Sequence, residues 1–273
     1  MTQIDAAAAS VSNNNNTDFQ KQFLRRINID ENKKIEFYDL PQVMRMFASN
    51  IPFENSDVIG LEPSGITKDY LIEKVLVKSQ GGLCYHLNTL MYFFLTDCGF
   101  QVKQMIGTVW NQITKDRWAA PFGHCITLLT HNNSEYLIDV GFGLFLALAP
   151  IPFQSIISSR TGEYRWLAKP TEYGTHSLEL RPNPDEDFHL AYTFTLDQVG
   201  VESINKAQEI IHIDELKTFN AIPLTAILLE PSQGQATMTG DTLTITKPNG
   251  EKVKESITPE KRQELLSTMF KFK

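Results

Sequence analysis

The amino-acid sequence predicts an α+β fold in which helices come first and strands follow. Three observations carry that expectation. Apolar residues recur with a helical period from residue 17 to about residue 98. From residue 101 the pattern changes to short runs rich in β-branched and aromatic residues. No internal repeat and no regular strand–helix alternation runs through the chain, which argues for segregated layers rather than a doubly wound sheet.

The elements can be justified in order. Thr17 is positioned to cap a helix that places Phe19, Phe23 and Ile27 on one face. A second helix starts near Asp39 with Pro41 in its first turn, carries Val43, Met44 and Phe47, and stops before Ile51-Pro52. A third follows Thr67 and presents Leu71, Val75 and Leu76. In the fourth, Cys84, Leu87, Leu90, Met91, Phe94 and Leu95 keep helical spacing, and Gly99 terminates it. Strands are expected at 101–110, 124–130 and 136–140, the last two joined as a hairpin through His131-Asn132-Asn133-Ser134. Further strands are expected at 164–168, 176–181, 190–195 and 225–229, with a hairpin around Thr239-Gly240-Asp241. A helix at 201–208 interrupts them, and another opens at Thr258-Pro259-Glu260.

Composition narrows the function classes. The 273 residues, 42% hydrophobic and 10% aromatic, suffice for one large domain or two modest ones with a real core. Twenty-five Lys and Arg against 32 Asp and Glu give a formal charge of −7, a poor match for nucleic acid or an anionic membrane. No apolar stretch reaches the roughly 18 residues needed to cross a bilayer. Residues 1–16 lack the basic start and apolar core of a secretory signal and read as a disordered arm, which places the chain in the cytoplasm by default. Three cysteines do not make a disulfide framework and fit a reducing compartment.

One of the three stands apart. Cys84 follows Gly81-Gly82-Leu83 at the first turn of the fourth helix, where unpaired backbone N–H groups favour negative charge and thiolates become reactive. The glycines there would let another chain or a substrate approach the sulfur. Cys98 at a helix end and Cys125 inside an apolar strand read as ordinary buried residues. A nucleophilic cysteine needs a base and an orienting group. His86 is two residues from Cys84 and points some 200° away around the helix axis. His131 lies in a turn, and His176, His189 and His212 lie in polar or mixed surroundings, whereas His124 opens a strand after a Pro-Phe-Gly bend.

The hairpin supplies a test for the third member. With a two-residue loop Asn132-Asn133, His131 pairs with Ser134 and Ile126 faces Asp139, so His124, Ile126 and Asp139 point to one side of the sheet. His124 and Asp139 are then diagonal neighbours roughly 7–8 Å apart at the backbone. An odd loop would place Asp139 on the other face. Cys84, His124 and Asp139 therefore read as a catalytic triad.

Gly81-Gly82-Leu83-Cys84-Tyr85-His86-Leu87-Asn88, then Gly123-His124, then Asp139-Val140-Gly141-Phe142-Gly143, with Ile51-Pro52-Phe53-Glu54-Asn55 upstream, resembles the arylamine N-acetyltransferase family. The resemblance runs from about residue 18 to the end and is clearest between 51 and 143. It implies a helical first domain bearing the nucleophile (17–99), a β-barrel-like second domain with a linking segment (100–200), an α/β lid domain (201–273) and a core like that of papain-like thiol enzymes. The family's triad maps onto the same Cys84, His124 and Asp139. The activity implied is transfer of an acetyl group from acetyl-CoA, through an acyl-cysteine, to a small arylamine or hydrazine, without a metal. Phe53 and Phe142, and by position Phe194, would line the acceptor cleft, and Gly143 would lie near the CoA arm. Because CoA is polyanionic and the chain acidic, Lys115 and Arg117 are candidates for a local basic patch. The chain departs from the family where it has Gln80 for Arg, His86 for Glu and Gly123 for Thr. Three alternatives keep the scaffold: an amide synthase releasing a tethered acyl chain, a thiol hydrolase, and a binding protein with a residual triad.

Overall fold

Thr17 starts the first helix, α1 (Asp18–Arg26), by reciprocal capping: its hydroxyl accepts from the Gln20 N–H while Gln20 Oε1 accepts from the Thr17 N–H. The structure, a computed structural model, describes residues 15–112 and 114–273. Most of the arm expected at 1–16 lies outside the described residues. Asn16 donates to the carbonyls of Glu31 and Lys33 at 2.8 and 3.0 Å. The second helix, α2 (Leu40–Asn50), carries Pro41 in its first turn and ends against Ile51-Pro52, as expected. A two-residue strand follows, β1 (Phe53–Glu54). The third helix, α3 (Lys68–Leu71), is capped by Thr67 and widens into a π-helical stretch, Ile72–Val77. The fourth, α4 (Cys84–Asp97), ends with Gly99 at φ +85°, a backbone angle suited to glycine. These helices share one apolar core, in which the rings of Phe23 and Phe94 stack 3.8 Å apart.

Arg26 ties this core to the loop before Cys84. Its Nε donates to Val75 O at 3.0 Å, Nη2 to Ser79 O at 3.1 Å and Nη1 to Asn50 O. The guanidinium thus closes the carbonyl end of the π-helical stretch, where cations are favoured, and burial lowers it to about 10. Arg26→Met strands several of these acceptors. It is expected to lower unfolding free energy by about 3 kcal/mol or more, checked by urea denaturation against wild type.

From residue 101 the chain builds an antiparallel sheet. Its strands are β2 (Gln101–Val109), β3 (His124–His131), β4 (Ser134–Ile138), β5 (Ile151–Pro152), β6 (Ile157–Ser159), β7 (Gly162–Leu167), β8 (His176–Arg181) and β9 (His189–Phe194). The eight pair in the order β5-β4-β3-β2-β9-β8-β7-β6. The curl is nearly closed: Phe153 bridges to Trp166, and Trp166 Nε1 donates to Ile151 O at 2.7 Å, so the β5 edge reaches back to β7. Met105, Ile126, Tyr164, Trp166 and Tyr192 fill the interior.

The next helix, α5 (Val201–His212), runs past the expected end at 208 and adds Ile204, Ala207 and Ile211 to the core of the N-terminal helices. Four strands follow, β10 (Leu224–Leu228), β11 (Gln235–Thr239), β12 (Thr242–Thr246) and β13 (Lys252–Ser256), and then α6 (Pro259–Thr268). Together with β1 they make a second sheet ordered β1-β10-β11-β12-β13. Asn55 locks this arrangement, donating to Phe219 O and Ile222 O at 2.7 and 2.9 Å and accepting from Leu224 N–H at 2.7 Å. The strands not foreseen have physical reasons. β1, β5 and β6 are two or three residues long, too short to show a period, and β13 is exposed along its whole length. Among the described residues no helix is long and apolar enough to cross a membrane.

Candidate active site

Cys84 is the first residue of α4, and Leu83 precedes it as cap residue. The glycines before it do not open the sulfur to approach, which corrects the expectation. A Cβ on Gly81 would stand 1.9 Å from Pro52 O, and one on Gly82 would stand 2.6 Å from His86 Nδ1. They let Pro52 and His86 pack against the loop. The glycine beside Cys84 is Gly141, where a Cβ would meet Cys84 Cα at 2.7 Å. The Cys84 thiol is 8% exposed at the residue level and lies 3.3 Å from Gly123 O, to which it donates.

The β3–β4 hairpin has the even loop. Asn132 and Asn133 adopt φ of +49° and +60°, as a tight primed turn requires, and His131 pairs with Ser134. The ladder continues to Thr127–Ile138, which sets Asp139, just past β4, opposite Ile126 and diagonal to His124. The side chains close that diagonal: His124 Nε2 lies 2.8 Å from Asp139 Oδ2. With Nε2 engaged by Asp139, Nδ1 is left for Cys84, which also acts on the imidazole. Burial opposes a charge on His124, but the Asp139 carboxylate and the interactions with Cys84 prevail and push it up to about 10. Burial likewise works against the Asp139 carboxylate, and the His124 charge and hydrogen bonds from His124, Asn88 and Gly141 bring it below its ordinary range. Burial pushes Cys98 up to about 11 and Cys125 well upward, in keeping with inert thiols.

Two residues that sequence reasoning did not single out complete the site. Asn88 is one turn after Cys84 on the same helix face. Its Nδ2 donates to Asp139 Oδ1 at 2.8 Å and to Cys125 O at 2.6 Å, while its Oδ1 accepts from Val140 N–H at 2.8 Å. With Gly141 N–H also donating to Asp139 Oδ1 at 2.8 Å, the carboxylate is held on both oxygens. The available signal was a lone amide at i+4 from the cysteine inside an apolar helix. Tyr192, fully buried on β9, sets its ring 4.8 Å from His124 and 5.1 Å from Phe142. Its contact depends on β9 pairing beside β2, the neighbour of β3, and leaves no local trace.

The remaining expected residues divide by position. Phe142 meets the His124 ring edge-on at 5.5 Å. Phe53 packs on Phe219 at 5.6 Å and shares a narrow crevice with Leu87, Val140 and Gly143. Gly143 has φ +60° and open space where a Cβ would be. Phe194 is fully buried in the barrel between Tyr192 and Trp166, one ring removed from His124. Lys115 and Arg117 lie between β2 and β3 on the exposed side, and Arg117 pairs with Asp116 at 2.9 Å. His86 turns away from the sulfur, accepting from Leu83 N–H through Nδ1 at 3.2 Å.

A cysteine at a helix N-terminus, an imidazole from an adjoining barrel strand and a carboxylate behind it constitute the class of thiol enzymes that work through a covalent acyl-cysteine. Comparison with known proteins specifies the family. The N-acetyltransferase family profile matches residues 37–273. The chain is similar to an uncharacterized acetyltransferase of Bacillus subtilis, 35% identical over 93% of this chain and 98% of that protein. It is similar in structure to an arylamine N-acetyltransferase of Bacillus cereus, with 44% identity, TM-score 0.87 and coverage of 94% and 99% of the two chains. Arylamine N-acetyltransferase C of Bacillus anthracis matches at 38% identity and TM-score 0.87, covering 93% of this chain and 98% of its own. This chain belongs to the arylamine N-acetyltransferase family. The Bacillus cereus structure is described as revealing a unique Cys-His-Glu catalytic triad; here the carboxylate bonded to His124 is Asp139.

Proposed function

We propose that this enzyme moves an acetyl group from acetyl-CoA through a Cys84 thioester to the nitrogen of a small arylamine or hydrazine. The observation that carries the reading is the buried line of contacts from Asp139 through His124 to Cys84. With the imidazole raised to about 10, His124 carries a proton at neutral pH, and the proposed attacking form is the Cys84 thiolate. The Cys84 sulfur attacks the acetyl carbonyl carbon, the bond from that carbon to the CoA sulfur breaks, and His124 gives its proton to the departing thiolate. The amine nitrogen then attacks the acyl-cysteine. His124 takes the nitrogen's proton, the carbon–Cys84 bond breaks, and the resting pair is restored. Asp139 keeps the imidazole oriented and stabilises its cation in both half-reactions.

Phe142 and Phe53 are the residues proposed to flank the acceptor ring, with Phe194 buttressing Tyr192 behind them. Gly143 leaves room beside the crevice for the donor's arm, and Lys115 and Arg117 are proposed to face its phosphates. The reading assigns no nucleic-acid or membrane partner and a cytoplasmic setting.

Intact-protein mass spectrometry tests the proposal. Mixing with acetyl-CoA is expected to add about 42 Da at Cys84, and an arylamine is expected to discharge it. A folded protein that gains no adduct overturns the acetyl-CoA reading. An adduct discharged by water as fast as by amine would make the enzyme a hydrolase. Carbamidomethylation supplies an independent check: at pH 6, Cys84 is expected to react with iodoacetamide well ahead of a small free thiol.

A further inference from the structure

The loop that presents Cys84 rests on a residue the reaction does not use. His86 is fully buried at the third position of α4, and its two ring nitrogens face two different elements. Nδ1 accepts the Leu83 N–H at 3.2 Å, in the manner of a capping-box side chain reaching back to the residue before the helix. That tautomer leaves the hydrogen on Nε2, which makes no hydrogen bond among the described residues and faces Asp57 Oδ2 at 3.5 Å. The imidazole is packed on Gly82, where any Cβ would collide with it at 2.6 Å. Tyr85 lies 4.5 Å from it and Tyr70 5.9 Å, ring to ring.

Asp57 is itself fixed. Tyr70 Oη donates to its Oδ2 at 2.5 Å, and Lys74 Nζ lies 3.2 Å from its Oδ1. Lys74 also donates to the buried Glu54 carboxylate at 2.8 Å. The groups facing His86 are therefore Asp57, Lys74, Glu54 and the Tyr70 phenol, with His212 of α5 and Cys84 and Tyr85 of its own helix. Burial outweighs the Asp57 attraction and lowers His86 to about 3, so the ring is neutral throughout the physiological range. A protonated ring would have to surrender its bond to Leu83, because Nδ1 would then become a donor.

We propose that His86 is a positioning residue for the nucleophile: a neutral imidazole, bonded to Leu83 and aimed at Asp57, that holds the first turn of α4 so that the Cys84 sulfur stays aligned with His124. Cys84 is the residue directly after the N–H that His86 holds, and Leu83 has no Ser, Thr, Asp or Asn side chain to cap the helix. The proposal rests on Cys84 being the nucleophile and not on the identity of donor or acceptor.

Three variants test it by the rate of Cys84 alkylation with iodoacetamide at pH 7, with circular dichroism confirming the fold. Gln at position 86 offers an oxygen to Leu83 and an amide hydrogen to Asp57, so His86→Gln is expected to react within about threefold of wild type. His86→Leu keeps volume but loses the Leu83 bond and the Asp57 contact, and is expected to react at least about tenfold more slowly. Asp57→Ala removes the carboxylate that faces Nε2, together with its contacts to Tyr70 and Lys74, and is expected to slow the reaction about three- to tenfold. A folded His86→Leu as reactive as wild type overturns the proposal, and so does His86→Gln as slow as His86→Leu, since rescue by Gln is what a merely space-filling role does not give. If His86→Leu fails to fold, His86→Met, which likewise offers neither hydrogen bond, takes its place in both comparisons, and the proposal falls unless it is slow where His86→Gln is not. Because the wild-type rate is measured without acetyl-CoA, a failure here is distinguishable from a failure to form the acetyl adduct.

Discussion

Cys84→Ser leaves a folded protein that no longer gains the acetyl adduct and turns over at least about 10⁴-fold more slowly than wild type. A hydroxyl is a far weaker nucleophile than a thiol paired with an imidazole, and nothing else in the site replaces it. Cys125 is fully buried and pushed well upward by burial, and Cys98, half-buried and raised to about 11, is bonded to Gln20 at 3.5 Å. Cys98→Ser is accordingly expected to keep activity within about threefold. The comparison is read from single-turnover formation of the acyl-enzyme, followed by mass. If Cys84→Ser retains more than a few per cent of turnover, the covalent route is wrong and the acceptor must attack the donor directly.

Asp139→Asn is the second large effect, expected to reduce turnover by about 10³- to 10⁴-fold while the fold is kept. Asn can still fill the space and retain contact with His124, but it removes the charge that keeps the imidazole protonated and oriented. The same change has a signature in stability. His124 moves from its ordinary 6.5 up to about 10 in the folded chain. Its contribution is therefore fully present below pH 6.5 and is lost as pH rises through about 10. Over that window the unfolded chain holds fewer protons at this site, and stability falls by up to about 1.4 kcal/mol per pH unit. Asp139, shifted downward, contributes above its unfolded value and loses that contribution as pH falls through its folded one. Denaturant titrations at pH 6, 8 and 9.5 are expected to show the alkaline decline in wild type and to lack the His124 share of it in Asp139→Asn. Equal losses of activity and stability, with the alkaline slope intact, would return Asp139 to a purely structural role.

Much of this was legible in the primary structure, because the features involved are local. Thr17, Pro41, Thr67, Gly99 and Pro259 mark helix ends through backbone rules that operate within a turn. The His124–Asp139 contact of the proposed triad could be anticipated because it hangs on one parity: a two-residue Asn132-Asn133 loop sends both side chains to the same face. Cys84 announced itself by its place at a helix start.

Tertiary structure alone decided the rest. Sequence by itself determined which residues are chemically able to form the site and which face of its own element each occupies, since periodicity and capping depend on near neighbours. It did not determine that Asn88 and Gly141 together clamp Asp139, that Tyr192 backs His124 from a strand about seventy residues away in the chain, or that Arg26 braces the loop from the first helix. It also misassigned Gly81 and Gly82, whose missing side chains serve Pro52 and His86 rather than the sulfur. Asn88 makes its contacts where the sheet meets the fourth helix, Tyr192 where β9 lies beside β2, and Arg26 and Gly81 where the N-terminal helices and their loops pack on one another. Long-range packing of that kind is set by the shape of the whole assembly, and no local pattern in the chain encodes it.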